Sequence, residues 1–395
     1  MANSLHEKLR LFDPQLPLER AATIPSLWYF DPEIYAAECR AVLGGTWQVA
    51  GRAEQVVEPG SFVTMEIAGE PIVVVRGADG ALRGFFNVCR HRAACVVNEP
   101  AGTATRLRCR YHGWTYDLAG RLIGTPEFDG VADFRRDDNG FVPVAVDTWG
   151  KWVWVNLSPN PLPLCEFLEP LPKQADVLEL DSVRFVERRE YELACNWKVF
   201  VDNYLDGGYH VNTVHPGLAS VLDYSQYRTE IAGNTAVQIS PLRSESQSPS
   251  HPFTPSPTLS CKPVPVSRPA DSTIATVRAG STAYYWWVFP NFMLNIYAGV
   301  MDTNLVLPLG PDRCRVIFDF YFVETDGAAA KKIIAESIAV AEQIQQEDIG
   351  ICEEVQRGLA SRSYSTGRFS VRREAAGYHF HRLLARQLQN TIGEP

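Results

Sequence analysis

The chain has 395 residues, which is long enough for two domains with separate hydrophobic cores. Its content of 46% hydrophobic and 21% charged residues excludes a disordered chain and an integral membrane protein. The net charge of -9 argues against nucleic acid as a partner, because proteins that bind nucleic acids carry a basic surface. The N-terminal residues lack a hydrophobic signal sequence, so we expect a cytoplasmic protein without a membrane anchor.

The first part of the chain has the pattern of a compact all-β domain. Short apolar or alternating runs, broken by glycine, proline and aspartate, extend from residue 46 to residue 157. Prolines then follow closely between residues 159 and 172, and this spacing interrupts regular structure and suits a connection between domains. We therefore predict an N-terminal segment at 1–40 that packs on the last domain, a β domain at 41–160, and the last domain at 161–395.

The second part of the chain is predicted to be an α+β domain. Residues 183–195 have the pattern of a strand, and aromatic-rich strands follow between residues 283 and 323. Apolar residues at helical spacing predict one long helix at 328–356. The last domain should therefore be a curved antiparallel sheet packed on a long helix, an arrangement of the helix-grip or START-like type. Serine and proline dominate residues 240–272, which we predict to form a long loop or lid beside a pocket.

Two Cys–His pairs in the first domain have the spacing of a metal site. Cys89 and His91 are separated by one residue, Cys109 and His112 by two, and 17 residues lie between the pairs. In a Rieske [2Fe-2S] cluster two cysteines hold one iron and two histidines hold the other, so each loop must supply one ligand of each kind. The spacing therefore predicts a Rieske cluster.

A structural zinc site is the alternative interpretation of these residues. Zinc sites also use two cysteines and two histidines, but their ligands usually come as a Cys-x2–4-Cys pair and a His-x3–5-His pair. Here each pair is mixed, which favours the iron-sulfur cluster. Cys95 lies nearby but does not fit the ligand spacing, so we expect it to be a packed thiol.

The segments at 89–92 (Cys-Arg-His-Arg) and 109–114 (Cys-Arg-Tyr-His-Gly-Trp) resemble those of the Rieske oxygenase family of ring-hydroxylating and related oxygenases. The resemblance implies an enzyme that uses O2 and electrons from NAD(P)H to hydroxylate a small organic molecule. It implies a [2Fe-2S] cluster shielded by Trp114, a mononuclear Fe(II), a homotrimer and a separate reductase of the flavin or ferredoxin type. The sequence contains no glycine-rich nucleotide fingerprint, which agrees with a separate reductase. A β subunit is left open.

The resemblance also supplies candidates for the mononuclear iron, which such oxygenases bind with two histidines and one carboxylate. His210 and His215 match the two histidines, and Asp348 matches the carboxylate, with Glu347 as the fallback. Histidines five residues apart do not share a helix face, so we expect a π-bulge or a helix end between them. The alternative for Asp348 and Glu347 is a solvated helix face.

Two more residues of this segment are predicted to be catalytic, Asn203 and Asp206. In the family an acidic residue bridges a cluster histidine of one subunit to an iron histidine of its neighbour, which implies a path through His112, Asp206 and His210. Three residues separate Asp206 from His210, whereas many members of the family have two.

The segments at 201–211, 289–293 and 301–311 resemble the choline monooxygenase-like members of the family. The resemblance implies a choline-like quaternary ammonium substrate, which aromatic rings attract through cation–π interactions. The predicted pocket residues are Tyr285, Trp287, Phe289 and Asn291. Two alternatives stay open at this point: an aromatic ring-hydroxylating dioxygenase that acts on an aromatic acid, and a non-enzymatic iron-sulfur electron carrier or sensor.

Overall fold

The computed structural model describes residues 4–174, 179–243 and 271–390. The chain forms two compact units, one from Met1–Leu9, Pro32–Asp181 and Leu384–Pro395, the other from Arg10–Asp31 and Ser182–Leu383. The predicted domain limits at residues 40 and 160 stay a prediction. Most of the loop predicted at 240–272 lies outside the described residues. In the described part of the chain, no helix is long and apolar enough to cross a membrane.

The first unit contains a seven-stranded antiparallel sheet in the order β1-β10-β9-β4-β3-β2-β5 and a three-stranded sheet in the order β6-β7-β8. Its strands are β1 (Gln48–Arg52), β2 (Ser61–Ile67), β3 (Glu70–Arg76), β4 (Leu82–Phe86), β5 (Ala101–Thr103), β6 (Leu107–Arg108), β7 (Thr115–Tyr116), β8 (Leu122–Gly124), β9 (Pro143–Trp149) and β10 (Trp152–Asn156). Its short helices are α1 (Leu5–Leu9), α2 (Pro32–Glu38), α3 (Leu164–Phe167) and α4 (Leu171–Gln174).

Strand β3 explains why this unit folds around the predicted ligand loops. Its four central residues are apolar, and alternate side chains enter two hydrophobic cores on opposite faces of the strand. Val73 and Val75 join the core that also contains Cys89, Cys109 and Trp114. Each fully buried valine contributes about 1.5 kcal/mol or more to folding, so the ligand loops are attached to a rigid sheet.

The second unit is built on one antiparallel sheet in the order β11-β17-β16-β15-β14-β13-β12. Its strands are β11 (Arg184–Leu193), β12 (Arg228–Ala232), β13 (Thr235–Pro241), β14 (Thr282–Val288), β15 (Phe292–Tyr297), β16 (Val300–Gly310) and β17 (Arg313–Phe322). Its helices are α5 (Trp197–Tyr204), α6 (Val211–Val214), α7 (Pro216–Val221), α8 (Asp271–Val277) and α9 (Gly327–Leu359), and α10 spans Ala375–Asn390. The α+β prediction of a curved sheet with a long helix is confirmed.

Helix α9 is the long helix expected from the apolar spacing, and it has 33 residues. Its buried positions recur every three or four residues, as in Ile338, Ala341 and Gln345. This face packs against α5, α6, α8 and β11. The buried face of α9 therefore includes a polar side chain, that of Gln345, among its apolar residues.

Candidate metal sites

The two loops that carry the Cys–His pairs close with the same backbone hydrogen bonds. The amide of Cys89 donates to the carbonyl of Ala94 at 2.9 Å, and the amide of Ala93 donates back to the carbonyl of Cys89 at 2.9 Å. The equivalent bonds at Cys109 have lengths of 2.8 and 2.9 Å. The residue four positions after each cysteine has a positive φ, 58° at Ala93 and 73° at Gly113. Two copies of one tight turn therefore present the two pairs.

The side chains of the four predicted cluster ligands lie in these turns. The buried thiols of Cys89 and Cys109 interact directly, and burial raises the pKa of Cys109. The imidazole rings of His91 and His112 have their centroids 4.6 Å apart. The indole of Trp114 stacks on His91 at 4.8 Å.

The environment of a ring nitrogen of His91 indicates that a metal fits at this position. Its Nδ1 atom is buried and has no hydrogen-bond partner among the described residues. Burial and the neighbouring His112 also lower the pKa of His91, which favours the neutral imidazole that binds metals. A buried nitrogen with a free lone pair, beside two thiols and a second imidazole, is the donor set of a Rieske cluster.

Tyr116, which the sequence did not single out, supports this loop from β7. Its hydroxyl lies 3.5 Å from the Sγ atom of Cys89 and accepts a hydrogen bond from the amide of Arg90 at 3.0 Å. Its ring stacks on Phe141 at 4.0 Å. A buried strand tyrosine is more often a core residue, so the sequence carried no signal for this contact.

The second predicted site begins at the end of α5. Asn196 caps the helix by accepting a hydrogen bond from the amide of Lys198 at 3.0 Å. After the helix the chain turns through Gly207 and Gly208, which have φ values of 71° and 70°. Helix α6 follows, and His210 and His215 are the residues that flank its two ends. Of the two alternatives for the backbone between the histidines, the structure shows helix ends.

The histidines meet Asp348 of α9. One donor atom from each of His210, His215 and Asp348 lies within 4.8 Å of the others. The Nε2 atom of His215 is 3.1 Å from Oδ1 of Asp348, and the Nε2 atom of His210 is 3.9 Å from the same oxygen. Two imidazoles and one carboxylate in this arrangement could hold a divalent iron.

Both histidines have a carboxylate on the other ring nitrogen. The Nδ1 atom of His210 lies 2.6 Å from Asp206, and the Nδ1 atom of His215 lies 2.8 Å from Glu347. Such partners fix the tautomer of a histidine ligand and leave Nε2 for the metal. Glu347, the fallback for the third ligand, therefore contacts His215 from the side opposite Asp348.

Asn203 and Asp206 hold the site from α5 and from the turn after it. The side-chain amide of Asn203 donates to Oδ1 of Asp348 at 2.6 Å. The carboxylate of Asp206 also accepts hydrogen bonds from the amides of Tyr209 and His210, at 3.0 and 2.9 Å. Both residues therefore orient atoms of the predicted iron site.

The charge balance of the site also favours a cation. Burial lowers the pKa of His215, but Asp348 and Glu347 outweigh burial and raise that pKa to about 9. Without a metal the imidazole therefore carries a proton at neutral pH. A bound metal would supply the same positive charge between the two carboxylates.

We expect Gly207→Ala to destabilise the protein at this turn. A Cβ atom at residue 207 would lie 2.1 Å from the carbonyl oxygen of Arg373, which real Cβ atoms do not approach so closely. The positive φ alone costs about 1 to 3 kcal/mol for a residue with a side chain. Gly299→Ala is the matched control, because its φ is 72° but nothing lies within 4 Å. Thermal unfolding should show the larger loss for Gly207→Ala, and equal losses would contradict the contact.

A cavity of about 100 Å³ lies beside the three candidate ligands. Tyr285 lines it, and Tyr204, Tyr227 and Tyr297 line it from other elements. These three tyrosines could not be chosen from the sequence, because they lie in separate segments that the fold brings together.

The structure places the other three predicted pocket residues in the core instead. Trp287 is fully buried and donates to the carbonyl of Pro290 at 3.2 Å. Phe289 packs against Trp287 and Phe380, and the side-chain amide of Asn291 donates to the carbonyl of Val306 at 2.8 Å. For Trp287, which lies on β14, the reason is that large aromatic side chains on strands mostly fill the core.

Comparison with known proteins supports the same organisation. Residues 46–135 match the model of the Rieske [2Fe-2S] domain, and residues 180–390 match the catalytic domain of ring-hydroxylating alpha subunits. The chloroplastic choline monooxygenase of Arabidopsis thaliana is 37% identical over 96% of this chain and 86% of its own length. The carnitine monooxygenase oxygenase subunit of Escherichia coli K12 is 28% identical over 93% of this chain and 94% of its own length.

A solved structure agrees with the fold. The crystal structure of the quaternary ammonium Rieske monooxygenase CntA with an inhibitor superimposes with a TM-score of 0.80, at 24% identity over 97% of this chain and 98% of that one. A Rieske β domain followed by a helix-grip domain with a two-histidine, one-carboxylate cluster defines a two-site iron oxygenase. The chain belongs to the family of ring-hydroxylating oxygenase alpha subunits, the Rieske non-haem iron oxygenases. Its cofactors are a [2Fe-2S] cluster and a mononuclear iron.

Proposed function

We propose that this oxygenase oxidises a small quaternary ammonium compound. The observation that carries the proposal is the set of tyrosines around the cavity: Tyr204, Tyr227, Tyr285 and Tyr297. Burial raises the pKa of all four, so the phenols stay uncharged. Neutral aromatic rings attract a methylated ammonium group by about 0.5 to 2 kcal/mol each when water is excluded. The named relatives act on choline and carnitine, which agrees with this chemistry.

In this proposal His210, His215 and Asp348 hold the mononuclear iron, and the two Cys–His pairs hold the cluster. The bound cluster supplies electrons and the bound iron supplies the site of O2 activation. The chain's own residues position these ligands: Asp206 and Glu347 orient the two imidazoles, and Asn203 holds the carboxylate of Asp348.

Electron entry is proposed to involve a neighbouring subunit. The path would run from His112 of one subunit to Asp206 and His210 of the next, within a homotrimer. The short contact between Asp206 and Nδ1 of His210 supports the last step of this path. Rieske oxygenase alpha subunits take electrons from a separate reductase. That the reductase is of the flavin or ferredoxin type stays a prediction, as does the cytoplasmic location.

A substrate panel tests the proposal. The holoenzyme, supplied with NADH and a reductase, should consume O2 and form product with choline or carnitine. Benzoate serves as the aromatic acid in the same assay, and uncoupled O2 uptake is measured without substrate. Product from benzoate alone would contradict the quaternary ammonium assignment and favour the aromatic dioxygenase. Binding of choline or carnitine without any product would favour the electron carrier or sensor.

A further inference from the structure

The cavity beside the iron site also contains buried polar atoms that no described residue satisfies. They are Nε of Arg278, Nδ2 of Asn304, Oε1 of Gln238, and both amide atoms of Gln345. Their residues are at most 4% exposed. A buried polar atom without a hydrogen bond costs about 1 to 3 kcal/mol, so several of them around one cavity indicate that a polar ligand group belongs there.

The guanidinium of Arg278 has more hydrogen-bond donors than any other of these groups, with five N–H donors. Among the described residues, it donates to the hydroxyl of Ser337 at 3.0 Å and interacts with the hydroxyl of Tyr297, which leaves donors unused. The nearest carboxylate oxygen, on Asp302, is 4.0 Å away, too far for a hydrogen bond. The guanidinium also lies 4.6 Å from the ring centroid of Tyr297. A buried guanidinium with unused donors is suited to a carboxylate.

Asp302 does not replace that carboxylate. It is itself buried, and it accepts a hydrogen bond from the side-chain amide of Asn295 at 2.6 Å. Burial raises the pKa of Asp302, while Arg278 and Asn295 lower it, and the net shift is upward. Because Asp302 lies 4.0 Å from Arg278, beyond hydrogen-bond distance, it leaves N–H donors of the guanidinium available to a ligand.

Helix α9 gives the distance between the two ends of the cavity. Ser337, which contacts Arg278, precedes Asp348 by eleven residues, or about 16 Å along the helix axis. Ala341, Ile344 and Gln345 line the cavity between them. Near the iron end, Tyr227 packs over Gly208, two residues before His210. The cavity therefore has the Tyr227 ring near the iron site, and the guanidinium with the Tyr297 ring beside it at the far end.

From this arrangement we propose that the substrate is a zwitterion, a quaternary ammonium compound with a carboxylate at its other end, and that Arg278 binds the carboxylate. The inference rests on the proposed function and names the substrate class within it. Asn304 and Gln345 contribute amide donors to the same carboxylate. Arg278 is then a specificity residue, which touches the substrate far from the reacting carbon.

A matched pair of ligands tests this proposal on the unmodified holoenzyme. Carnitine and carnitine amide have the same skeleton, but the amide lacks the negative charge. Isothermal titration should show that carnitine binds about 10- to 100-fold more tightly, as expected for hydrogen bonds to a charged group. Equal affinity for the two ligands would overturn the proposal, as would tighter binding of choline than of carnitine, while either result would leave the quaternary ammonium function intact.

Two variants assign the effect to the residues. Arg278→Gln should reduce the preference for carnitine over its amide towards one, and Gln345→Met should reduce it in the same direction without removing a charge. Arg357→Gln is the control, because Arg357 is exposed near the end of α9. An undiminished preference in folded Arg278→Gln would overturn the role of Arg278. Product from benzoate with no binding of any quaternary ammonium compound would instead reject the proposed function itself.

Discussion

Asp348→Ala should lose nearly all product formation while its iron-sulfur spectrum stays unchanged. Asp348 is the only acidic member of the His–His–Asp cluster in the described part of the chain, and its Oδ1 atom faces the Nε2 atoms of both histidines. Removing an outer partner of a metal ligand costs about 10- to 100-fold in affinity or activity, and removing the ligand should cost more. Two histidines alone would hold iron weakly.

The measurement separates the two metals. Iron content and NADH-driven product formation report the mononuclear site, and visible absorption reports the cluster in the same sample. Glu354→Ala is the control, because Glu354 is an exposed acid on the same helix. Full turnover by Asp348→Ala would show that this residue is not a ligand of the mononuclear iron. An equal loss of product formation in Glu354→Ala would point to a damaged helix instead.

Cys109→Ser should remove the cluster and stop electron delivery from the reductase. A serine oxygen would replace the thiolate that is proposed to hold cluster iron, and Cys109 is buried in direct contact with Cys89. The purified variant should be pale and should form no product with NADH and reductase. Its mononuclear iron should remain, because the His–His–Asp cluster is built from residues of the second unit.

Cys95→Ser provides the comparison for this loss. Cys95 is near the ligand loops in sequence, but its thiol makes other hydrogen bonds. It accepts one from the side-chain amide of Asn87 at 3.0 Å and donates one to the carbonyl of Val97 at 3.1 Å. The substitution should keep the cluster spectrum. Zinc in place of iron in the purified wild-type protein, with no visible absorption, would restore the zinc interpretation of the four ligands.

The sequence was most informative where ligand chemistry restricts spacing. The Cys–His pairs are local, since each lies within one tight turn, so their residue types and separations predict the site directly. The long helix was predictable because its buried face repeats with helical periodicity over many turns. The resemblance to the family then added His210, His215 and Asp348, which the spacing alone does not connect.

Contacts between distant segments could not be predicted in the same way. Glu347 and Asp348 are adjacent and chemically similar, yet the helix directs one to Nδ1 and the other to Nε2 of the same imidazole. Tyr116 of β7 contacts Cys89, which lies 27 residues earlier in the chain, and Tyr227 joins the cavity from a turn far from α5. Trp287 resembled a pocket residue by type, whereas its environment in the sheet makes it a core residue.

The length of α9 between Ser337 and Asp348 has a consequence for how relatives of this protein can diverge. A single inserted or deleted residue there would rotate everything beyond it by about 100° and displace it by about 1.5 Å. The carboxylate would then leave the histidines while the serine stayed with Arg278. Natural variants can exchange side chains on the exposed face of this helix, but changes in chain length should accumulate in the surface turns.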